Sequence, residues 1–293
     1  MTLSQYMKQV AEEVEQCILS HLENEDKDIA RTYEAMRYSV CAGGKRIRPF
    51  LVVSISDMLS GEHEKAVLFG AALEMIHTYS LIHDDLPCMD DDDLRRGRPT
   101  CHKVFGEAMA VLAGDGLLTE AFSLLSSSDL SFYDKAQSIA ILSQAAGAKG
   151  MIGGQAMDMQ AEADGIGSVE QLMKLCQKKT GALIVAAAKL GLLSAGITDV
   201  DIEGAILTYA ANIGLAFQIV DDYLDVNATT EELGKPIGSD AQNGKTTFMT
   251  YMTEQEAKAE AEALTLSACQ SISAIPHCEM LLQLANNLLH RTK

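Results

Sequence analysis

The chain of 293 residues has no tryptophan, only 5% aromatic residues and only five prolines. Aromatic and β-branched residues are typical of strands, and no stretch alternates apolar and polar positions as a half-buried strand does. The wide gaps between prolines leave long segments without the strongest helix breaker. With 47% hydrophobic residues, the chain can bury a sizeable core. We therefore predict an all-α fold, organised as one large helical domain over residues 1–293.

Basic residues are scarce as well: 23 Lys and Arg residues stand against 41 Asp and Glu residues, so the net charge is −18. Binding to a nucleic-acid backbone needs a cationic surface, and we expect no nucleic-acid partner. A small phosphorylated substrate is not excluded, because divalent cations and a few basic side chains can bind it to an acidic protein.

The seven cysteines form no C-x-x-C pair and are odd in number, which argues against a disulfide framework or a zinc site. The N-terminal stretch lacks the apolar core of a signal peptide. No uninterrupted apolar run is as long as a membrane span. These absences predict a cytoplasmic protein with no membrane insertion.

What the chain does contain is a dense acidic block, "HDDLPCMDDDDLRRGRPT" at residues 83–100, directly after a largely apolar segment. On a regular helix Asp84 and Asp90 would lie about 120° apart around the axis, which is poor geometry for a shared ion. Pro87 lies between them and must break or kink that helix. We expect the resulting turn to return Asp90 toward the side of Asp84.

A second acidic block, "FQIVDDYLD", ends another apolar segment at residues 217–225. Asp221 and Asp225 are four residues apart, so on a helix they lie one turn apart on nearly the same face. Such carboxylates repel each other unless a cation lies between them; a solvated acidic helix end is the alternative interpretation. Hard oxygen ligands select Mg²⁺, a helix C-terminus favours any cation, and the calcium-loop pattern is missing. We therefore predict magnesium at both blocks.

A few basic residues stand beside glycines or beside the first acidic block. "GGKRIRP" places Lys45, Arg46 and Arg48 after two glycines, where backbone N–H groups and cations can bind an anion. Arg95 and Arg96 follow the aspartates directly. We interpret both groups as anion-binding, and a solvated surface position is the alternative for any single residue.

Six motifs, in this order, resemble the trans-prenyltransferase family, the isoprenyl diphosphate synthases: "GGKRIRP", "SLIHDDLPCMDDDDLRRGRPT", "GGQAMD", "KKTGALI", "FQIVDDYLDV" and "GKPIGSD". They are distributed over residues 43–240. Pro87 and Cys88 form a two-residue insertion in the first aspartate motif. That insertion resembles the bacterial farnesyl-producing members of the family, and plant and bacterial geranylgeranyl-producing members share it.

The resemblance implies an isoprenoid synthase fold in which the two aspartate motifs face each other across a deep central cavity. It implies three Mg²⁺ ions, held by Asp84, Asp85, Asp90, Asp221, Asp222 and Asp225. The residues that it assigns to isopentenyl diphosphate are Lys45, Arg48, His77 and Arg96. Those that it assigns to the allylic diphosphate are Arg95, Lys179 and Lys235, while Thr180 and Gln218 turn their oxygens toward the carbocation. The catalytic residues implied are Asp84, Asp90, Arg95, Lys179, Thr180, Gln218, Asp221 and Lys235.

The reaction implied is the condensation of isopentenyl diphosphate with dimethylallyl diphosphate and then geranyl diphosphate. Mg²⁺-assisted ionisation of the allylic diphosphate would drive it, the product would be farnesyl diphosphate, and the family suggests a homodimer. A geranylgeranyl diphosphate synthase and, less favoured, a non-catalytic helical partner subunit are the alternatives. A terpene cyclase is disfavoured because it would not need "GGKRIRP" for a second diphosphate.

Two residues before the first aspartate motif are candidates for setting product length. Tyr79 and Ser80 lie five and four residues before Asp84, which is about 6–7.5 Å along a helix. In the family, a bulky aromatic residue at the first of these positions resembles the farnesyl-producing type. A tyrosine that only fills the core is the alternative, just as His77, two turns before Asp84, could be a satisfied core histidine.

Overall fold

The computed structural model describes residues 1–227 and 246–291, and it is 75% helical. The all-α prediction is confirmed. In chain order the helices are α1 (Leu3–His21), α2 (Ala30–Val40), α3 (Ile47–Met58), α4 (His63–Asp84), α5 (Cys101–Phe105), α6 (Glu107–Ser127), α7 (Phe132–Ala146), α8 (Met151–Asp164), α9 (Val169–Cys176), α10 (Ala182–Ser194), α11 (Val200–Asn227), α12 (Glu254–Ile272) and α13 (Glu279–Leu289). A π-helical turn spans Gln177–Gly181, and a 3₁₀ turn spans Phe248–Thr250.

The chain divides into two compact units. The first comprises Met1–Ala140 with Leu193–Ala195, and the second comprises Ile141–Leu192 with Gly196–Lys293. One functional domain over residues 1–293 stays a prediction. The first unit contains the first aspartate motif and "GGKRIRP", whereas the second contains "KKTGALI" and the second aspartate motif.

Helix α4 leads into the first aspartate motif. Helices α1, α3 and α6 pack against it, and its buried residues lie around most of its circumference, as expected for a helix enclosed on several sides. Pro49 lies in the first turn of α3, where the missing N–H removes no helical hydrogen bond.

A two-stranded antiparallel hairpin corrects the expectation that the chain has no sheet. Strand β1 (Leu94–Arg95) pairs with β2 (Arg98–Pro99). The loop between them consists of Arg96 and Gly97, both with positive φ (55° and 75°), which is the requirement of a tight type I′ hairpin turn. Four paired residues are too few to show as alternation in a sequence.

The second unit is organised along α11, which is 28 residues long and packs against α12 and α13. The buried Tyr209 of α11 donates its hydroxyl hydrogen to the carbonyl of Leu281 at 2.7 Å and so ties α11 to α13. The π turn interrupts the run from α9 to α10 at the residues of "KKTG". Such turns are rare and often coincide with functional sites.

All seven cysteines are free thiols. By length and composition alone, α4, α6 and most of α11 are apolar enough to cross a membrane. In α4, 67% of the most apolar stretch is buried inside the protein, so its hydrophobicity is accounted for by the core.

Candidate active site

The first aspartate motif folds back on itself as predicted. Helix α4 ends at Asp84, ahead of Pro87, and the backbone N–H of Asp90 donates to the carbonyl of Asp84 at 2.8 Å. Residues that a continuous helix would separate by about 120° are therefore adjacent in the turn. The turn prediction is confirmed, and the role of both residues as metal ligands stays a prediction.

Asp85 is buried and binds Arg95. The guanidinium of Arg95 lies 2.6 Å from Asp85 Oδ1 through Nε and 2.5 Å through Nη2. Burial raises the pKa of Asp85, and Arg95 opposes that shift. The pair holds Arg95 in one orientation beside the turn, so Asp85 has a protein partner in addition to its predicted metal.

Several cations gather at the "GGKRIRP" segment. Arg48 Nη1 lies 3.2 Å from His77 Nε2, and Arg96 donates to the carbonyl of Gly43. A Cβ at Gly44 would lie 2.4 Å from Arg96 Cζ, so the glycine there makes room for this guanidinium. The structure thus brings together three of the four residues assigned to isopentenyl diphosphate.

The charges in this cluster act on one another. Burial, followed by Arg48 and Arg96, lowers the pKa of His77 well below its usual 6.5. Burial also lowers the pKa of Arg48, and Arg96 adds to that effect. Arg48 Nε is buried without a hydrogen-bond partner among the described residues. We name Arg48, His77 and Arg96 the cationic cluster.

Arg46 does not belong to this cluster, which corrects the sequence interpretation of that residue as anion-binding. Its φ of 47° at the start of α3 is left-handed, and its side chain is buried. Arg46 Nη1 lies 2.6 Å from Glu74 Oε1, and Nη2 lies 3.3 Å from Glu15. Glu74 was missed by sequence reasoning, because an acidic residue inside an apolar helix carries no local signal of its partner.

Tyr79 is buried, with 4% of its surface exposed, and its hydroxyl has no hydrogen-bond partner among the described residues. Its ring meets the ring of His83 edge-on, with centroids 5.8 Å apart. Burial, helped by the charge of Asp84, raises the pKa of Tyr79 to about 12. The half-buried Ser80 bonds the carbonyl of His77 at 2.9 Å. Tyr79 therefore lies in an apolar environment close to the first motif.

In the second unit, the π turn presents Lys179 and Thr180. Lys179 Nζ lies 2.5 Å from Asp158 Oδ2, and Thr180 Oγ1 donates to Gln218 Oε1 at 3.3 Å. A Cβ at Gly154 would lie 2.2 Å from the backbone N of Lys179, so this glycine allows α8 to approach the turn. Asp158 was missed, although it ends the motif "GGQAMD" that we had singled out.

These side chains border a cavity of about 150 Å³ within the second unit. Gln218 donates to Asp222 Oδ1 at 2.9 Å, and the backbone N–H of Phe248 donates to Asp222 Oδ2 at 2.9 Å. Asp222 is thus a buried carboxylate fixed by two donors. It connects the Gln218–Thr180 pair to the second aspartate motif.

The second aspartate motif lies near the end of α11. Asp225 is buried, whereas the side chain of Asp221 is 43% exposed. Asp221 Oδ1 lies 2.6 Å from Nη2 of Arg291, a partner that sequence reasoning did not find. Lys235, assigned to the allylic diphosphate, lies outside the described residues.

The residues fit Mg²⁺ by the chemistry of their donors. Within residues 1–227 and 246–291, no three His, Cys, Asp or Glu side chains form a ready-made metal cluster. Mg²⁺ keeps several waters and binds through one or two protein carboxylates, with substrate phosphates completing its octahedron. Asp84 with Asp90, joined by the turn, and Asp221 with Asp225, one turn apart on α11, meet that requirement.

The polyprenyl synthetase family model matches residues 29–281. The match covers most of the chain and includes both aspartate motifs and the segments "GGKRIRP" and "KKTGALI". The chain belongs to the polyprenyl synthetase family.

Curated relatives of both predicted product classes are similar to the chain. Farnesyl diphosphate synthase from Haemophilus influenzae is 41% identical over 290 residues, which cover 98% of each chain. Geranylgeranyl pyrophosphate synthase 3, chloroplastic, from Arabidopsis thaliana is 46% identical over 241 residues, 80% of this chain and 66% of that protein.

Solved structures share the fold. An FPP/GFPP synthase from Zymomonas mobilis superposes with a TM-score of 0.87 at 37% identity and 98% coverage of each chain. A geranyltransferase from Helicobacter pylori, complexed with magnesium and isoprenyl diphosphate, superposes with a TM-score of 0.85 at 34% identity, covering 99% of this chain and 97% of that one. The isoprenoid synthase fold is thereby confirmed.

Proposed function

We propose that the protein is a prenyltransferase that condenses isopentenyl diphosphate with dimethylallyl diphosphate and then geranyl diphosphate, and releases farnesyl diphosphate. The observation that carries the proposal is the cationic cluster. Arg48 and Arg96 lie together with the neutral His77 in a chain of net charge −18, and crowding the two like charges of the arginines costs free energy. A bound diphosphate would offset that cost with charge-assisted hydrogen bonds.

Isopentenyl diphosphate, which brings no metal to the reaction, binds to the cationic cluster and to Lys45. Arg48 and Arg96 can each give two parallel hydrogen bonds to phosphate oxygens. A bound anion also favours protonation of His77, which would then donate rather than accept. The isoprenyl diphosphate bound to the related geranyltransferase supports this class of substrate.

The resemblance to the family assigns Arg95 and Lys179 to the allylic diphosphate. Arg95 already pairs with Asp85 and Asp92, and Lys179 pairs with Asp158, so both cations are oriented before the substrate arrives. Negative charge grows on the departing diphosphate as its C–O bond breaks, and preoriented cations stabilise that charge most in the transition state. The same resemblance assigns Lys235, which lies outside the described residues, to the allylic diphosphate.

Mg²⁺ when bound would neutralise further charge on the departing diphosphate. The residues that would hold it are Asp84, Asp90, Asp221 and Asp225, with Asp85 and Asp222 in support, and we propose three ions. The magnesium in the related geranyltransferase structure supports this assignment.

The allylic carbocation needs electron-rich neighbours and protection from water. Thr180 and Gln218 supply oxygen atoms next to Lys179, and apolar surroundings would keep water away from the cation. The double bond of isopentenyl diphosphate then attacks the cation, and the intermediate loses a proton to the released diphosphate. Tyr79 limits the growth of the chain because its buried ring occupies the space that a longer product would need.

We further propose that the chain acts as one functional domain, as a homodimer, in the cytoplasm. The family match over residues 29–281 supports a single domain, and seven free thiols support a reducing compartment. The homodimer rests on the resemblance to the family.

The test is incubation of the protein with Mg²⁺, labelled isopentenyl diphosphate and dimethylallyl diphosphate, followed by chromatographic sizing of the products. We expect fifteen-carbon product, and no product when EDTA replaces Mg²⁺ or when Asp84→Asn is used. If the wild-type protein incorporated no labelled isopentenyl diphosphate, the proposed prenyltransferase activity would be refuted. Twenty-carbon product would instead establish the geranylgeranyl alternative.

A further inference from the structure

We infer that Arg291 is an internal cation that competes with the divalent metal for Asp221, so that metal binding at the second aspartate motif displaces Arg291 from this carboxylate. The inference rests on the proposed function, in that Asp221 is a metal ligand. It adds that Arg291 controls when Asp221 becomes available to the metal ion.

Arg291 is seated by three contacts with one face of α11. Its Nη2 lies 2.6 Å from Asp221 Oδ1 and 2.9 Å from the carbonyl of Phe217. Its Cζ lies 3.9 Å from the centroid of the Phe217 ring. Phe217 and Asp221 are one helical turn apart on α11, so a single guanidinium contacts both residues. The Arg291 side chain is 9% exposed, which distinguishes the contact from a loose surface ion pair.

Arg291 lies close to the end of α13 along the chain. Helix α13 ends at Leu289, and Arg291 follows only two residues later. The backbone of Arg291 thus stays near the end of α13, and displacement from Asp221 takes place by rotation of the long arginine side chain.

The competition follows from charge. A guanidinium stays protonated in proteins, although burial lowers the pKa of Arg291 and Asp221 opposes that shift. A divalent ion placed on Asp221 would meet this positive charge at close range, where repulsion is large and weakly screened. The ion must displace Arg291 or bind more weakly beside it. Substrate phosphates, which add oxygen ligands to the ion, would shift this competition toward the metal.

The first test measures Mn²⁺ binding by the electron spin resonance signal of free Mn²⁺, since Mn²⁺ accepts the same octahedral oxygen ligands as Mg²⁺. The protein is the full chain carrying Asp84→Asn and Asp90→Asn, which isolates the second motif. In this background Arg291→Gln should bind Mn²⁺ roughly three- to tenfold more tightly, by analogy with the strength of charged hydrogen bonds. Arg291→Lys, which keeps the charge, should change the affinity less.

The matched control is Lys258→Gln. Lys258 belongs to the same unit and lies over the ring of Tyr223, 4.7 Å from its centroid, so its loss removes the same charge near the motif without removing the Asp221 contact. It should leave the Mn²⁺ affinity unchanged. The inference would be overturned if Arg291→Gln bound Mn²⁺ no more tightly than the background protein. It would also be overturned if Arg291→Gln and Lys258→Gln raised the Mn²⁺ affinity equally.

The second test follows Arg291 itself in the wild-type protein. Arginine-selective labelling with phenylglyoxal, mapped by mass spectrometry, should be several-fold faster at Arg291 with saturating Mg²⁺ than without it. The exposed Arg31 serves as the internal reference and should not respond. Unchanged labelling of Arg291 would refute displacement. Neither test uses a prenyl substrate, so absence of condensation activity refutes the proposed function separately.

Discussion

Arg48 Nη1 lies 3.2 Å from His77 Nε2. A guanidinium can only donate, so Nε2 of His77 accepts and the imidazole ring is neutral. The structure therefore holds a histidine in its uncharged form against two arginines, in the place where a diphosphate is proposed to bind.

The stability of the protein should depend on pH through His77. Its pKa in the folded state lies well below the 6.5 of the unfolded state, so between these two values the unfolded chain binds more protons. Stability should fall as the pH falls from about 6.5 toward the lowered pKa. His77→Gln should flatten this part of the curve, measured as the free energy of unfolding in urea at a series of pH values. The exposed His290→Gln is the control, and equal slopes in wild type and His77→Gln would contradict the prediction.

Two adjacent basic residues should respond differently to the same substitution. Arg46→Gln leaves the buried Glu74 without its ion pair and should destabilise the fold by about 3–5 kcal/mol. Lys45→Gln changes an exposed residue and should alter stability by less than about 0.5 kcal/mol. It should instead raise KM for isopentenyl diphosphate about tenfold, as expected for one lost charged hydrogen bond. Denaturation and steady-state kinetics on both variants test these predictions. A stability loss in Lys45→Gln with a raised KM in Arg46→Gln would contradict them.

Gly154→Ala should disturb the π turn. The added Cβ would lie 2.2 Å from the backbone N of Lys179, and such overpacking costs about 1–3 kcal/mol. Because Lys179 and Thr180 would shift with the turn, kcat should fall as well. Gly204→Ala on α11 is the matched control, since the added Cβ would meet no atom within 4 Å. This substitution should stabilise the protein by about 0.4–1 kcal/mol. Equal kcat in the two variants would show that the turn tolerates the shift.

Tyr79→Ala should lengthen the product, because it removes a buried ring near the first aspartate motif. Tyr79→Phe keeps the ring and loses only a hydroxyl that has no hydrogen-bond partner among the described residues, so it should retain fifteen-carbon product. Chromatographic product sizing checks both, after circular dichroism has confirmed that each variant is folded. Unchanged product length in Tyr79→Ala would leave this tyrosine with a packing role alone.

Local features of the site were predictable because their causes act over a few residues. Pro87 cannot continue a helix, so a turn between Asp84 and Asp90 followed from covalent geometry. The buried circumference of α4 followed from its apolar residues. By contrast, Asp158 and Arg291 were missed, since their partners Lys179 and Asp221 are distant in the sequence.

The sequence by itself determined that this protein is helical, where its two aspartate motifs lie, and which basic residues are candidates for binding anions. Only the tertiary structure decided among those candidates. Lys45 and Arg46 are neighbours of the same charge, yet a left-handed φ turns Arg46 toward the buried Glu74, while Arg48 meets His77. The physical reason is that a buried charge needs a partner, and that partner is chosen by the packing of helices far apart in the chain.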